Sequence, residues 1–375
     1  MVRNKNIDAL RGVAILMVLL THTMVFRKPQ WDFYLTRGGW AGVDLFFVLS
    51  GFLISGLLFS EFQKSGSIRF KRFAFRRAWK IYPSLYAIIT LILTLRLYHG
   101  TLSLREIFTP FIHDVLFIQN YATGTYGHFW SLAVEEHFYV LLPLMLYFLL
   151  RRGKGSLDPF RSIPIVTCAI ALTTLTIRLG SWWFIQPFTM TWHFMTTHLR
   201  LDSLMFGVLL SYWAHFHREA LVSTVEKYYW RILAASSILV LPCLLFPIND
   251  PRLYTLGFSS LYLGFGGFLV VSVYFPHPSG PISGPIAAAV SAVGRSSYSI
   301  YIWHFAVLTQ LEKYGVLNVP SYFAATILTG IGLSWIIERP TLYLRDRLVP
   351  ADRGARRARS PDAMELRSPA GFPSK

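Results

Sequence analysis

Arg11 and His22 share one apolar stretch, Asp44 lies in a second, Glu135 and Glu136 in a third, Asp202 in a fourth and His304 in a fifth. An ionisable group placed in hydrocarbon costs roughly 2.5–3.5 kcal/mol even on the lenient insertion scale, so each is a candidate for chemistry. A histidine among carboxylates suits proton transfer near neutral pH. Eleven residues separate Arg11 from His22. At about 100° per residue this brings both to one helix face, roughly 16.5 Å apart along the axis. Asp8, three residues before Arg11, falls on the same side and is placed to orient its guanidinium. Mutual pairing that merely holds helices together accounts for any one of these groups about as well. It accounts less well for a histidine and several acids at one depth.

The elements that must position them are membrane helices. The chain has 375 residues, of which 53% are hydrophobic, 16% aromatic and only 15% charged; soluble domains carry about a quarter charged residues. Such a composition cannot cover a soluble surface, and it excludes disorder, collagen and coiled coil. Ten stretches, near 7–26, 39–60, 79–97, 130–150, 163–180, 198–214, 231–248, 255–275, 297–313 and 320–338, are long enough or nearly so to cross roughly 30 Å of hydrocarbon. The first has no small-residue cleavage site after it and reads as a retained span. Residues 105–121 read as an interfacial or re-entrant segment. The expectation is an all-α bundle of about ten transmembrane helices over residues 1–345, followed by a disordered basic tail over 346–375.

A net charge of +17 would suggest nucleic acid in a soluble protein. Here the distribution of charge supplies another cause. With the N-terminus in the cytoplasm, 26 Lys and Arg fall in inside loops and 6 in outside loops. That is the positive-inside pattern, with both termini cytoplasmic and no nucleic-acid partner implied. In this arrangement His22, Asp44, Glu135 and Asp202 all fall roughly one turn below the outer face, with His304 nearer the midplane. Cys168 and Cys243 are isolated in apolar stretches and form neither a disulfide framework nor a metal-ligand spacing. One histidine with scattered acids is not a familiar metal ligand set either.

The motifs that hold these residues resemble the membrane-bound acyltransferase 3 family of bacterial O-acyltransferases. Asp8-Ala9-Leu10-Arg11 with His22 is similar to its first-helix signature, and Gly42-Val43-Asp44 through Ser50-Gly51-Phe52 to its second. Arg76-Arg77-Ala78-Trp79-Lys80-Ile81-Tyr82-Pro83 resembles its basic loop, and Trp130-Ser131-Leu132 through Glu135-Glu136-His137-Phe138-Tyr139 its most recognisable motif. Leu201-Asp202-Ser203-Leu204, Tyr298 through Trp303-His304, and Glu338-Arg339-Pro340 resemble later ones. Two positions depart from the pattern: Lys80 stands where arginine is usual, and His137 where glutamine is usual. Lys80 keeps the charge without the planar fork of a guanidinium. The chain resembles the stand-alone form of the family, without the SGNH esterase-like domain that many relatives carry.

The resemblance implies transfer of an acyl group, most often acetyl, from cytoplasmic acyl-CoA to a hydroxyl, without a metal. The acceptor is then an exported glycan or glycolipid, or a macrolide-like small molecule, and the location is the bacterial cytoplasmic (inner) membrane, as a multi-pass protein whose self-association is left open. In this reading Arg72, Arg76, Arg77 and Lys80 take the phosphates of the donor, Arg11 grips its arm, and the thioester is delivered toward His22. His22 is the general base, with Glu135 the favoured carboxylate to orient or balance it. Direct transfer and an acyl-His22 intermediate both remain open. Asp44, Ser50, Asp202 and His304 are secondary pocket candidates, together with Trp130 and Trp303, which packing accounts for equally well. The rival class is a proton-coupled transporter, which also uses acids and histidine at depth; it predicts broken helices in two symmetric halves, and no such symmetry is visible in the chain.

Overall fold

The computed structural model describes residues 4–350 apart from 24–36, 101–102, 157, 275–279 and 281. Its regular elements are helices, and no strand occurs among the described residues. In chain order they are α1 (Lys5–His22), α2 (Gly42–Ser65), α3 (Phe70–His99), α4 (Leu104–Val115), α5 (Trp130–Arg152), α6 (Ile163–Phe184) and α7 (Leu201–Phe216). There follow α8 (Arg218–Val240), α9 (Phe258–Tyr274), α10 (Ser283–Arg295), α11 (Ser297–Lys313), α12 (Val319–Leu333) and α13 (Arg339–Leu348).

A helix occupies each of the ten stretches read as spans, but they are not alike. Among the described residues seven helical stretches are long and apolar enough to cross a membrane: Gly39–Ser65, Phe70–His99, Gly127–Arg152, Ile163–Phe184, Arg218–Leu245, Leu253–Tyr274 and Val319–Leu348. The other three fall short. α1 has 18 residues and carries Lys5, Asp8 and Arg11; α7 has 16 and α11 has 17, against the roughly 20 a crossing requires. These three hold Arg11, His22, Asp202 and His304.

The bundle is inverted relative to a soluble protein. Leu57, Phe148, Ile165, Leu172, Trp230, Leu328 and Ile336 are each more than half exposed, whereas Asp44, Arg178, Arg200, Asp202 and His304 are at most 1% exposed. Apolar side chains turned outward and charges turned inward are what a lipid solvent selects.

Small residues set the closest crossings. A Cβ added to Gly51 of α2 would lie 1.9 Å from the Leu204 carbonyl of α7, and one added to Gly207 would lie 2.2 Å from the Val48 carbonyl. Only glycine lets the two backbones meet, the usual route to tight helix pairing in a membrane. A second such contact joins α1 to α10, where a Cβ on Gly294 would lie 1.8 Å from the Asp8 carbonyl.

Three features depart from the expected organisation. α10, rich in alanine and only 13 residues long, lacks the apolar length that announces a span and was not expected. α8 begins at Arg218, well before the expected start near 231, and kinks at Tyr228, whose φ is −114°. α13 runs unbroken through the 345/346 boundary drawn for the tail, while residues 351–375 of that tail lie outside the described residues. The segment near 105–121 is a short helix, α4, capped at its start by Ser103 and Glu106 and ending in a turn at Phe117, whose φ is 56°.

Candidate active site

Five helices meet around a chamber of about 100 Å³. α1 contributes Arg11, α2 Ser50, α3 Arg77 and Lys80, α5 Ser131, Glu135 and Glu136, and α11 Tyr298 and Tyr301. Glu135 is held through both oxygens: Ser50 Oγ donates to Oε1 at 2.5 Å and Tyr139 OH donates to Oε2 at 2.9 Å. Tyr139 lies one turn after Glu135 on α5, the spacing at which two helical side chains meet. Arg77 donates to the Tyr139 hydroxyl and lies over its ring at 4.1 Å. Glu136, about 100° round the helix, accepts from Tyr82 OH at 3.3 Å. Glu338, buried at the end of a π-turn before α13, accepts from Ser299 (3.0 Å) and Ser334 (3.1 Å). Arg11 lies within electrostatic reach of Glu338, Asp8, Arg77 and Glu135.

Below the chamber lies a wider vestibule of about 450 Å³, lined by Lys64, Arg69, Arg72, Arg76, Arg77, Lys80 and Arg345, with Glu61 the one carboxylate in its wall among the described residues. Ile54, Arg77 and Lys80 line both cavities, so the two adjoin at that neck. The four residues expected to take donor phosphates, Arg72, Arg76, Arg77 and Lys80, all face this space. Of the aromatic residues in the same run, Phe73 lines it, while Phe75 and Trp79 pack on each other with ring centres 5.8 Å apart.

At the other end of α1 stands a group of imidazoles. His22 lies 4.8 Å from His304 and 4.7 Å from Phe305, and His304 lies 4.4 Å from His128, between ring centres. His22 Nδ1 is 2.8 Å from the Val18 carbonyl. A carbonyl only accepts, so Nδ1 carries the hydrogen and Nε2 presents its lone pair, the form a general base needs. His304 repeats the device, with Nδ1 2.5 Å from the Tyr301 carbonyl and Nε2 without a hydrogen-bond partner among the described residues. Tyr301 links the group to the chamber: its hydroxyl donates to the His128 carbonyl at 2.7 Å and lies 2.6 Å from Ser131 Oγ.

Among the described residues no hydrogen bond joins His22 to Glu135, the pairing expected from the sequence. Both oxygens of Glu135 are taken by Ser50 and Tyr139, and the group that orients His22 is the Val18 carbonyl. Ser50 is brought into the chamber; Asp44 and Asp202 are not. Asp44 pairs with Arg200 at 2.5 Å and Asp202 pairs with Arg178, every side chain 0–1% exposed. Arg200 lies in an aromatic cage, 3.9 Å from the ring of Phe258 and 5.1 Å from that of Phe194. Trp130 is part of this packing, edge-on to Phe47 and Phe194. Trp303 is half-buried and does not line the chamber. His137 is turned about 200° from Glu135 on α5 and lies 2.6 Å from Thr197 Oγ1, away from the chamber.

Several residues of the site were not singled out from the sequence. Tyr139 had a signal, its i+4 spacing from Glu135. Arg178 and Arg200 had a weaker one, since arginines inside spans need acids at the same depth. His128 had none, and Tyr301 and Glu338 stood only as members of the motifs at 298–304 and 338–340: their roles come from contacts between elements far apart in the chain. Among the described residues no group of three or more His, Cys, Asp or Glu is arranged to hold a metal ion.

The helices and the chamber define a multi-pass membrane protein with a polar interior site. The family model described as an acyltransferase domain matches residues 4–339, and the chain belongs to this acyltransferase 3 family. Among curated proteins it is 31% identical over 350 residues to a Staphylococcus aureus (strain COL) protein provisionally named O-acetyltransferase SACOL0978, covering 87% of this chain and 54% of that one. It is 26% identical over 352 residues to O-acetyltransferase OatA of Staphylococcus aureus (strain NCTC 8325 / PS 47), with the same coverage. The chain thus spans about half the length of the curated relatives it matches. No solved structure matches it.

Proposed function

We propose that the chain is a membrane O-acetyltransferase of the bacterial inner membrane that takes acetyl from cytoplasmic acetyl-CoA and delivers it to a hydroxyl of an exported glycan or glycolipid. The observation that carries this reading is the continuity of a cationic vestibule with the chamber through Arg77 and Lys80. A polyanionic head group suits the vestibule, and a narrow thioester arm suits the neck and chamber beside Arg11. The names of the relatives support acetyl as the group and oxygen as its destination. The charge distribution supports ten crossings with both termini in the cytoplasm, which puts the vestibule on the side where CoA is found.

The acceptor hydroxyl gives its proton to His22 Nε2 as its oxygen attacks the thioester carbonyl. The C–S bond then breaks, and the CoA thiolate leaves with the proton returned from His22. The Val18 carbonyl holds the ring in the required tautomer through this exchange. Arg11 and Arg77 supply positive charge along the path. The test is release of CoA thiol from acetyl-CoA by the purified full chain, with and without added glycan acceptors. His22→Ala should lower acceptor-dependent release about 10²- to 10⁴-fold, the usual worth of a general base, while coenzyme A still binds. Wild-type activity surviving in His22→Ala would remove His22 from the chemistry, and wild-type protein that binds no coenzyme A would remove the donor.

A further inference from the structure

The vestibule satisfies three of its arginines with two of the chain's own carboxylates. Arg72 Nη2 lies 2.7 Å from Glu61 Oε1, which also accepts from the Arg69 backbone N–H at 3.3 Å. Arg76 reaches the opposite way, to α13: Nη2 lies 2.8 Å from Asp346 Oδ1, and Nη1 donates to the Val349 carbonyl. Arg345, itself part of the vestibule wall, donates to the same Asp346 oxygen from Nε at 3.0 Å and Nη2 at 2.8 Å. A single carboxylate oxygen thus gathers three N–H donors from two arginines at the cytoplasmic mouth.

That donor set is the one a phosphate oxygen takes, because two guanidinium forks converge on one anionic point. The two carboxylates differ in how firmly they sit. The Glu61 side chain is 15% exposed and is tied to the turn at Arg69, whereas Asp346 is 53% exposed and rides on a helix that buries none of its ten residues. Asp346 is therefore the carboxylate that an incoming anion can displace.

We propose that Asp346 is a built-in competitor for the donor's phosphate: it occupies Arg76 and Arg345 in the empty vestibule, and α13 releases Arg76 when a phosphate of the donor takes its place. The proposal rests on the reading of the vestibule as the acyl-CoA site. Its consequence has an unusual sign. Removing a charge from the binding site strengthens binding, because the ligand no longer exchanges with a carboxylate.

Calorimetric titration of the full chain in detergent with coenzyme A tests this. Asp346→Asn should lower the Kd about two- to fivefold, the range expected for loss of one exposed ion pair. Asp346→Glu, which keeps the charge, should bind coenzyme A as the wild type does, and shows that the mouth still folds. Pantetheine, which lacks the phosphates, should be insensitive to both changes. Unchanged or weaker binding of coenzyme A by Asp346→Asn would overturn the proposal, since weaker binding means that Asp346 positions Arg76 for the ligand. Wild-type protein that binds no coenzyme A would overturn the donor reading as well. Wild-type binding without the gain in Asp346→Asn overturns the competitor alone.

Discussion

The interior holds charge in two arrangements. On one side, Asp44–Arg200 and Asp202–Arg178 match acid to arginine one for one, at 0–1% exposure, and line neither cavity. On the other, Arg11, Arg77 and Lys80 share a chamber with Glu135 and Glu136, and none of these is fully buried. Both arrangements put costly groups in hydrocarbon, so cost alone does not mark function. Space does. Matched pairs wrapped in aromatic rings complete themselves, whereas charges that border an open volume keep a side on which something that arrives can be met.

The sharpest way to break this contrast is to neutralise a matched pair. Asp44→Ala should destabilise the fold by about 3–5 kcal/mol, because it strands Arg200 as a buried unpaired cation. The double change Asp44→Leu with Arg200→Met should restore folding and leave coenzyme A binding intact, as measured by thermal unfolding and titration. If the double variant folds but no longer binds, the matched pairs belong to the site and the contrast fails.

In the chamber the same logic runs the other way. Arg11→Ala should fold and should weaken coenzyme A binding about ten- to a hundredfold, the worth of a charge-assisted hydrogen bond. Arg11→Lys should recover only part of this, since an ammonium lacks the fork. Titration reports both, and full recovery by lysine would reduce Arg11 to a point charge.

A smaller effect is expected at Asp114, an acid outside the spans that follows neither pattern. Its carboxyl is buried, has one oxygen bonded to the Thr125 N–H at 2.9 Å and the other without a hydrogen-bond partner among the described residues, and burial pushes it up to about 6. A carboxyl raised in the folded state favours folding when protonated. This contribution is full below the ordinary carboxylate range and is lost as the pH rises through about 6. Amide protection factors over residues 116–126, corrected for the intrinsic pH dependence of exchange, should therefore be higher at pH 5 than at pH 7.5, and Asp114→Asn should remove the difference.

The helices and most of the chamber were legible in the chain because both depend on local signals. An apolar run announces a span, and a charge within it announces itself by contrast. The 3.6-residue period put Arg11 and His22 on one face and separated Glu135 from Glu136 without any tertiary knowledge. Partnership was not legible, since it depends on helix rotation and register across long separations. Asp44 and Arg200 lie 156 positions apart, so Asp44 looked like a chamber acid until its arginine was in view. His22 looked in need of a carboxylate because a backbone carbonyl one turn earlier leaves no trace in residue type. α10 was missed because alanine and glycine mark close packing only once the facing backbone is known.

The interlocked backbones at Gly51 and Gly207 bear on how cargo crosses this bundle. α2 carries Ser50 into the chamber and is pressed against α7 with no room for a single methyl group between them. A carrier that works by rocking one half of its scaffold against the other needs an interface that slides. Here the wall next to the chamber is keyed in register, and sliding α2 by one residue would drive side chains into carbonyl oxygens. An interface keyed in this way suits the transfer proposed above, in which a small group moves and the helices hold their register.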